Sequence, residues 1–236
     1  MKKSRSTFYC FSPPVMIATF FIETFLIIYT LFYRKLNKSV KIGIILISCL
    51  AIFQLAEYGV CETLGAQASF GSRLGFVAIT LLPPLGIHLV SSVAKKQNRL
   101  LIAVSYLAAF SWILYFIFGD IMTGSVCEAN YVIFNIAEPY EGLYYIYYDS
   151  LVLLAVGLAT VYAQKKNKLP KKHRKALYTL VIGYLAFIIP SMVFTLIDDY
   201  KGADSPLPSV MCGFAVILAL MIAFGTLPLV TERKKR

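Results

Sequence analysis

The run VKIGIILISCLAIFQLAEYGVC, residues 40–61, decides the fold class of this chain. It is almost entirely apolar and long enough to cross the roughly 30 Å hydrocarbon core of a bilayer as a helix. Yet it contains a glutamine and a glutamate, Gln54 and Glu57, near its end. Polar side chains are costly in lipid, so these two residues raise the question of function.

Six further apolar runs of similar length occur along the chain. The sequence predicts seven membrane-spanning helices, at about 13–33, 40–61, 74–94, 100–120, 142–163, 176–197 and 208–229. Only 15% of the residues are charged, against about 25% in a typical soluble domain, and the mean hydropathy is +0.71. The runs are continuous rather than alternating, which indicates helices and not a barrel. We expect residues 1–236 to form one all-α integral membrane domain, a seven-helix bundle.

The charge of the connections alternates along the chain. Four segments, at 34–41, 95–99, 165–175 and 233–236, hold 18 of the 23 lysines and arginines, and most acidic residues lie in the other connections. Basic loops stay on the cytoplasmic side. The pattern predicts an outside N-terminus and a cytoplasmic C-terminus in a bacterial inner membrane. The net charge of +11 then reflects topology and attraction to membrane lipids, and no nucleic-acid motif accompanies it.

Cysteines concentrate near the predicted outer face. Because that face is oxidising, Cys61 and Cys127 are candidates for a disulfide between the second helix and the fourth connection; the alternative is that both are small buried thiols. No CxxC pair and no neighbouring histidine indicates a metal site, and no cofactor is expected. The seventh run contains no lysine, which excludes a retinal protein.

Two carboxylates fall in the outer thirds of predicted spans: Glu57 in the second span and Asp149 in the fifth. A charged side chain at this depth must face the bundle, pair, or bind a proton. We expect both to line an outward-opening ligand cavity. The residues expected to orient a ligand there are Gln54, Tyr145, Tyr115 and Trp112. The alternative is a set of interfacial carboxylates within an aromatic belt.

Glu23 and His88 lie deeper in the first and third spans. They are the candidates for a proton relay. His88 follows Pro83 and Pro84, which should kink the third helix and leave backbone carbonyls without helical donors.

From the third span onward the chain resembles the seven-helix membrane input module of some bacterial sensor histidine kinases. The resemblance rests on four segments: RLGFVAITLLPPLGIHLV at 73–90, YYIYYDSLVLLAVGLA at 144–159, HRKALYTLVIGYLAFIIPSM at 173–192 and SPLPSVMCGFAVILALMIAFGTLPL at 205–229. It implies a bundle that binds an extracytoplasmic or membrane-borne signal, and no catalytic residue is carried over. Only VTERKKR follows Leu229, so we expect no kinase or other output domain after the bundle.

A second, shorter resemblance joins CFS at 10–12 with FQLAE at 53–57. These segments are similar to an uncharacterised group of small bacterial membrane proteins that begin near Cys-Phe-Ser. The likeness implies no activity.

Three functions stay open on the sequence. The first is a receptor that binds a small or lipidic ligand and signals to a cytoplasmic partner at the basic loop 165–175. The second is a proton or cation transporter that uses the intramembrane carboxylates. The third is a lipid-acting enzyme with the same carboxylates as acid and base, although no catalytic motif supports it. A transporter should show polar groups spread from one face to the other, whereas a receptor cavity should confine them to the outer half.

Overall fold

A computed structural model describes residues 13–62, 66–96, 98–119, 122–127, 132–165, 169–201 and 207–234. The helices are α1 (Pro13–Tyr33), α2 (Lys38–Glu62), α3 (Ala66–Thr80), α4 (Leu82–Val93), α5 (Arg99–Phe118), α6 (Tyr140–Gln164), α7 (Lys171–Lys201), α8 (Leu207–Leu220) and α9 (Leu227–Val230). A π-helical segment, Met221–Thr226, joins the last two.

Five helical stretches are long and apolar enough to cross a membrane. They are Val15–Tyr33, Lys38–Val60, Phe70–Val93, Arg99–Phe118 and Tyr140–Gln164. These stretches coincide with the first five predicted spans, and Phe214–Val230 is a shorter apolar helix that overlaps the seventh. The predicted class, a helical protein with several membrane-compatible helices, is confirmed.

The surface of these helices is suited to lipid. Large apolar side chains are exposed along α1, including Phe21, Phe25 and Phe32, and α5 exposes Leu100 and Phe118 in the same way. Soluble proteins rarely expose apolar patches on this scale, whereas a bilayer covers them without cost. By contrast α2 and α4 are largely buried and form the centre of the bundle.

The third predicted span is interrupted at Leu81, between α3 and α4. The double proline explains the break, because Pro84 has no N–H to donate to the carbonyl of Thr80 four residues earlier. The hydroxyl of Tyr147, from α6, donates to that carbonyl at 2.8 Å. The hydroxyl of Thr80 donates to Phe76 O at 2.6 Å and lies 3.0 Å from the Tyr144 hydroxyl. The helix is thus interrupted at the prolines, as predicted, and a neighbouring helix satisfies the carbonyl that the interruption releases.

A two-stranded antiparallel hairpin lies in the fourth connection, between α5 and α6. Strand β1 (Met122–Cys127) pairs with β2 (Val132–Ile136), and a bulge interrupts the register between Met122 and Gly124. The predicted all-α fold therefore has to be extended by one β-hairpin. Short strands without clear alternation give little signal in a sequence, so the hairpin was not predicted.

The first, third and fifth connections meet at one end of the molecule. Ser39, at the start of α2, lies 2.8 Å from Ser92 at the end of α4, oxygen to oxygen. Nδ1 of His173, at the start of α7, lies 2.7 Å from the carbonyl of Val93. We call this end, where α2 and α7 begin and α4 ends, the basic end.

The last described residues also lie at the basic end. Lys35 donates a 2.6 Å hydrogen bond to the carboxylate of Glu232, and Arg34 forms an isolated antiparallel bridge with Arg233. The hydrogen bond and the charge of Lys35 hold the pKa of Glu232 below its ordinary value. The chain end is therefore fixed against the α1–α2 connection.

Candidate functional site

Glu23 lies near the middle of α1 and is completely buried, with an exposed fraction of 0%. Neither of its carboxyl oxygens has a hydrogen-bond partner in the part of the chain that the structure describes. Met16, Thr19, Leu26 and Thr30 are buried with it. Their spacings of three and four residues place all five on one face of α1, which points into the bundle.

Helix α2 supplies a second buried carboxyl group. Glu57 and Gln54 are 1% and 2% exposed, and their spacing of three residues puts them on one side of α2. The carboxyl groups of Glu23 and Glu57 are close enough to interact electrostatically. The Nε2 amide of Gln54 has no hydrogen-bond partner among the described residues. We call Glu23 and Glu57 the carboxyl pair, and Gln54 is the amide next to it.

Two further polar atoms without partners follow Glu23 along α1. They are Oγ1 of Thr30 and Nε of Arg34, both buried. Thr30 is seven residues from Glu23 and shares its face, at a distance along the axis of about 10 Å. Within the described residues, every buried side-chain polar atom that lacks a partner belongs to α1, α2 or Arg34 directly after α1. The sequence prediction included Glu23 but not Thr30 or Arg34. Thr30 follows Glu23 by seven residues and Arg34 follows Thr30 by four, and these helical spacings could have indicated both.

The electrostatics of the pair limit what it can do. A carboxylate at mid-bilayer costs about 3 kcal/mol or more, and a second carboxylate beside it adds repulsion. Both costs fall when a proton or a small cation is held between the two groups. Carboxylate and amide oxygens are the ligands that hard cations prefer. The site is therefore suited to binding protons or small hard cations.

Asp149 lies elsewhere. Its side chain is exposed on α6, and Tyr145, one turn earlier, is half-buried. Helix α6 packs mainly on α4 and α7, whereas the helix that carries Glu57 packs mainly on α1, α3 and α4. Glu57 is buried on α2, whereas Asp149 is exposed on α6, and these two helices share few contacts. Ligand binding by these residues stays a prediction.

Trp112 and Tyr115 belong to an aromatic cluster. The Trp112 ring lies 5.3 Å from that of Tyr144 and 6.0 Å from that of Phe116, and Phe76 stacks on Phe116 at 4.7 Å. Tyr115 is 52% exposed and packs on Tyr140. These rings fill the junction of α3, α5 and α6, so their visible role is packing.

His88 is separate from the carboxyl pair. Its Nδ1 lies 3.3 Å from the hydroxyl of Tyr106 on α5, and the two rings meet edge to face. Glu23 is on α1, which packs mainly on α2 and shares few contacts with the helix α4 that carries His88. The predicted relay between Glu23 and His88 therefore has no direct contact.

The predicted disulfide concerns side chains outside the described part of the chain. The backbone of Cys127 pairs with Val132 in the hairpin, and α2 includes Cys61, but neither side chain is described. The pairing stays a prediction. Cys49, in the middle of α2, is a buried free thiol.

No protein-family model and no curated protein sequence matches the chain. The resemblances to the sensor-kinase input module and to the Cys-Phe-Ser group therefore stay predictions.

Proposed function

We propose that this chain is a seven-span membrane protein that moves protons or a small monovalent cation, with Glu23 and Glu57 as the binding site. The observation that carries the proposal is the buried carboxyl group of Glu23. It has no hydrogen-bond partner among the described residues and lies within electrostatic range of a second buried carboxyl group. An ionisable residue at membrane depth is retained chiefly where an ion or proton pathway needs it.

The positions of the chain segments support seven crossings. The α1–α2 connection and the chain end lie together at the basic end, and the starts of α2 and α7 lie there with the end of α4. Six crossings between the first connection and the chain end return the chain to the same side. Because basic loops stay on the cytoplasmic side, the basic residues favour a cytoplasmic position for that end and an outside position for the N-terminus.

Buried polar groups on α1, on α2 and at Arg34 supply a direction for the pathway. Gln54 and Glu57 lie toward the predicted outer face, Glu23 near the centre, and Thr30 and the buried Nε of Arg34 toward the basic end. This spread is what the transporter hypothesis expects and the receptor hypothesis does not. The gap of about 10 Å between Glu23 and Thr30 is too long for one proton transfer, so water or helix movement must bridge it. The π-helical segment Met221–Thr226 packs on α1, and such segments occur frequently at functional sites.

The enzyme hypothesis has less support. A lipid-acting enzyme needs its acid and base open to the bilayer, whereas Glu23 and Glu57 are 0% and 1% exposed. A signalling role through the loop 165–175 stays a prediction. In that loop His173 contacts Val93, and Nε of Arg174 donates to the carbonyl of Ala163.

The test is ion flux into liposomes that contain the purified full-length protein. A pH-sensitive dye and potassium- and sodium-sensitive dyes are trapped inside, and a voltage or pH gradient is applied. We expect wild-type protein to conduct one of these ions. Glu23→Gln should reduce the flux at least about tenfold, because an amide binds neither a proton nor a cation with the strength of a carboxylate.

The matched control is Asp149→Asn, which neutralises an exposed carboxylate in another predicted span. Its flux should equal that of wild type. Equal flux in wild type and Glu23→Gln, or no flux of any of the three ions, would contradict the proposal. A loss confined to Asp149→Asn would instead favour a site on α6.

A further inference from the structure

A second site lies at the basic end, apart from the carboxyl pair. A cavity of about 340 Å³ opens there between the start of α2, the end of α4, the start of α7 and the chain end near Val230. The side chains that line it and enter the argument are Lys38, Ser39, Ser91, Ser92, Lys95 and His173. We call this cavity the basic-end pocket.

Hydrogen bonds fix the walls of the basic-end pocket. Oδ1 of Asn37 accepts from the backbone N–H of Val40 at 2.9 Å and so caps the start of α2, while its Nδ2 donates to the carbonyl of Val230 at 3.2 Å. The hydroxyls of Ser39 and Ser92 lie 2.8 Å apart and join α2 to α4. Three parts of the chain that are distant in sequence are thus locked around one space.

His173 closes a further side of the pocket. Its Nδ1 lies 2.7 Å from the carbonyl oxygen of Val93. A carbonyl oxygen only accepts, so Nδ1 carries the hydrogen. The ring is therefore held in one tautomer and one orientation, with Nε2 as its other polar atom.

Lys95 enters the pocket from an unusual backbone conformation. Its φ is 53°, in the left-handed region that glycine and asparagine normally occupy directly after a helix. The N–H of Lys95 donates to Ser92 O and that of Lys96 to Ser91 O, at 3.2 and 2.9 Å, which terminates α4. A lysine here carries backbone strain that glycine would avoid, and it contributes an ammonium group to the pocket.

The chemistry of the lining is that of an anion site. Lys38 and Lys95 contribute two positive charges, the serines contribute hydroxyl donors, and no carboxylate lines the pocket among the described residues. The N-terminus of the 25-residue helix α2 adds its partial positive charge. We infer that the basic-end pocket binds a phosphate group. Several oxygens of one tetrahedral anion can accept from both ammonium groups and a hydroxyl together.

The volume of the basic-end pocket limits the size of its ligand. About 340 Å³ is near the lower end of small-molecule sites, so it accepts a phosphate with a small substituent. Such a group has two sources at a membrane surface: a soluble phosphate or phosphate ester, and the headgroup of an anionic phospholipid. The proposal does not depend on ion transport by the carboxyl pair.

The test measures binding to the full-length protein in a neutral detergent and in nanodiscs. Inorganic phosphate and glycerol 3-phosphate are titrated by calorimetry at constant ionic strength. Melting temperatures are compared in nanodiscs of phosphatidylglycerol and of phosphatidylcholine. The variant carries Lys38→Gln with Lys95→Asn, since asparagine tolerates the left-handed backbone. The control carries Lys41→Gln with Lys96→Asn, which removes the same charge from exposed lysines that do not line the pocket.

If the ligand is soluble, we expect the Lys38/Lys95 variant to bind phosphate or its ester at least about tenfold more weakly, and the control to stay within about twofold of wild type. If the ligand is a headgroup, phosphatidylglycerol should raise the melting temperature of wild type and control but not of the variant. The proposal is overturned when no probe binds wild type, or when variant and control respond alike. Should the double variant not fold, Lys38→Arg and Lys95→Asn are tested singly: Lys38→Arg should keep affinity and Lys95→Asn should lose it.

Discussion

Glu23 and Asp149 are the same kind of side chain in the same kind of segment, yet the fold treats them differently. Glu23 shares the buried face of α1 with Met16, Leu26 and Thr30, whereas Asp149 is exposed on α6 beside Ser150. Spacing along α1 alone could have assigned Glu23 to a buried face. That Glu23 meets Glu57 rather than His88 depends on which helices become neighbours, and a single sequence does not encode this in any local pattern.

The buried carboxyl group of Glu23 should make the protein less stable than it could be. Glu23→Leu removes a polar group whose oxygens have no partner among the described residues. We expect the free energy of unfolding to rise by about 1 to 3 kcal/mol, while ion flux is lost. Thermal unfolding in detergent at pH 7, followed by circular dichroism, measures the change.

Ile22→Leu, next to Glu23 on the exposed face of α1, is the control for this prediction. It exchanges one apolar side chain for another of equal size at an exposed position, so the free energy of unfolding should change by less than about 0.5 kcal/mol. A loss of stability in Glu23→Leu would mean that the carboxyl group makes favourable contacts, and the account of an unsatisfied group would then fail.

Among the helices, the break between α3 and α4 shows how one element repairs another. Pro83 and Pro84 interrupt the span, and Tyr147 of α6 donates to the released carbonyl of Thr80. The break could be predicted from the prolines because their geometry is local. Its repair could not, because the donor is 67 residues away along the chain.

Removing that donor should destabilise the junction. Tyr147→Phe keeps the ring but leaves the buried carbonyl of Thr80 without this hydrogen bond. The cost should be about 1 to 2 kcal/mol in the free energy of unfolding, measured by denaturant titration. Tyr178→Phe, at an exposed position on α7, is the control and should be close to neutral.

A double-mutant cycle isolates the cause. In Pro84→Ala the new N–H can donate to Thr80 O within the helix, so the carbonyl no longer depends on Tyr147. Tyr147→Phe should therefore cost less in the Pro84→Ala background than in wild type. Equal costs in both backgrounds would show that the hydroxyl stabilises the protein in another way.

At the scale of the whole molecule, the basic connections and the last described residues of the chain lie together at the basic end. Composition and the lengths of the apolar runs predicted the helical membrane class, because a membrane span can be recognised from the length of one apolar run without knowledge of its neighbours. The five clearest spans agree with the structure to within a few residues, apart from the interruption at Leu81. The hairpin and the basic-end pocket arise from contacts between separate segments, and no periodic pattern in the sequence predicts them.

The contact that fixes the chain end should depend on pH. Lys35 lowers the pKa of Glu232 in the folded protein, so the pair stabilises the fold above the ordinary glutamate pKa of about 4.3 and ceases to do so as the pH falls through the lowered value. We expect Glu232→Gln to melt slightly below wild type at pH 7 and together with it at sufficiently low pH. The effect should be small and should shrink in high salt, because both side chains are exposed.

Lys35→Gln should behave like Glu232→Gln, and the double variant should add nothing to either. A difference between wild type and Glu232→Gln that grows as the pH falls would contradict the assignment of the pair.

Trp112 is the chain's single tryptophan, and it packs edge-on against Tyr144 at the place where α5 meets α6. That position makes the protein its own optical probe. Ultraviolet light absorbed by the neighbouring phenol rings passes to the indole over such short distances, and the indole's emission changes colour when water reaches it. Any separation of these two helices can thus be followed in time from the fluorescence of the unlabelled wild-type chain.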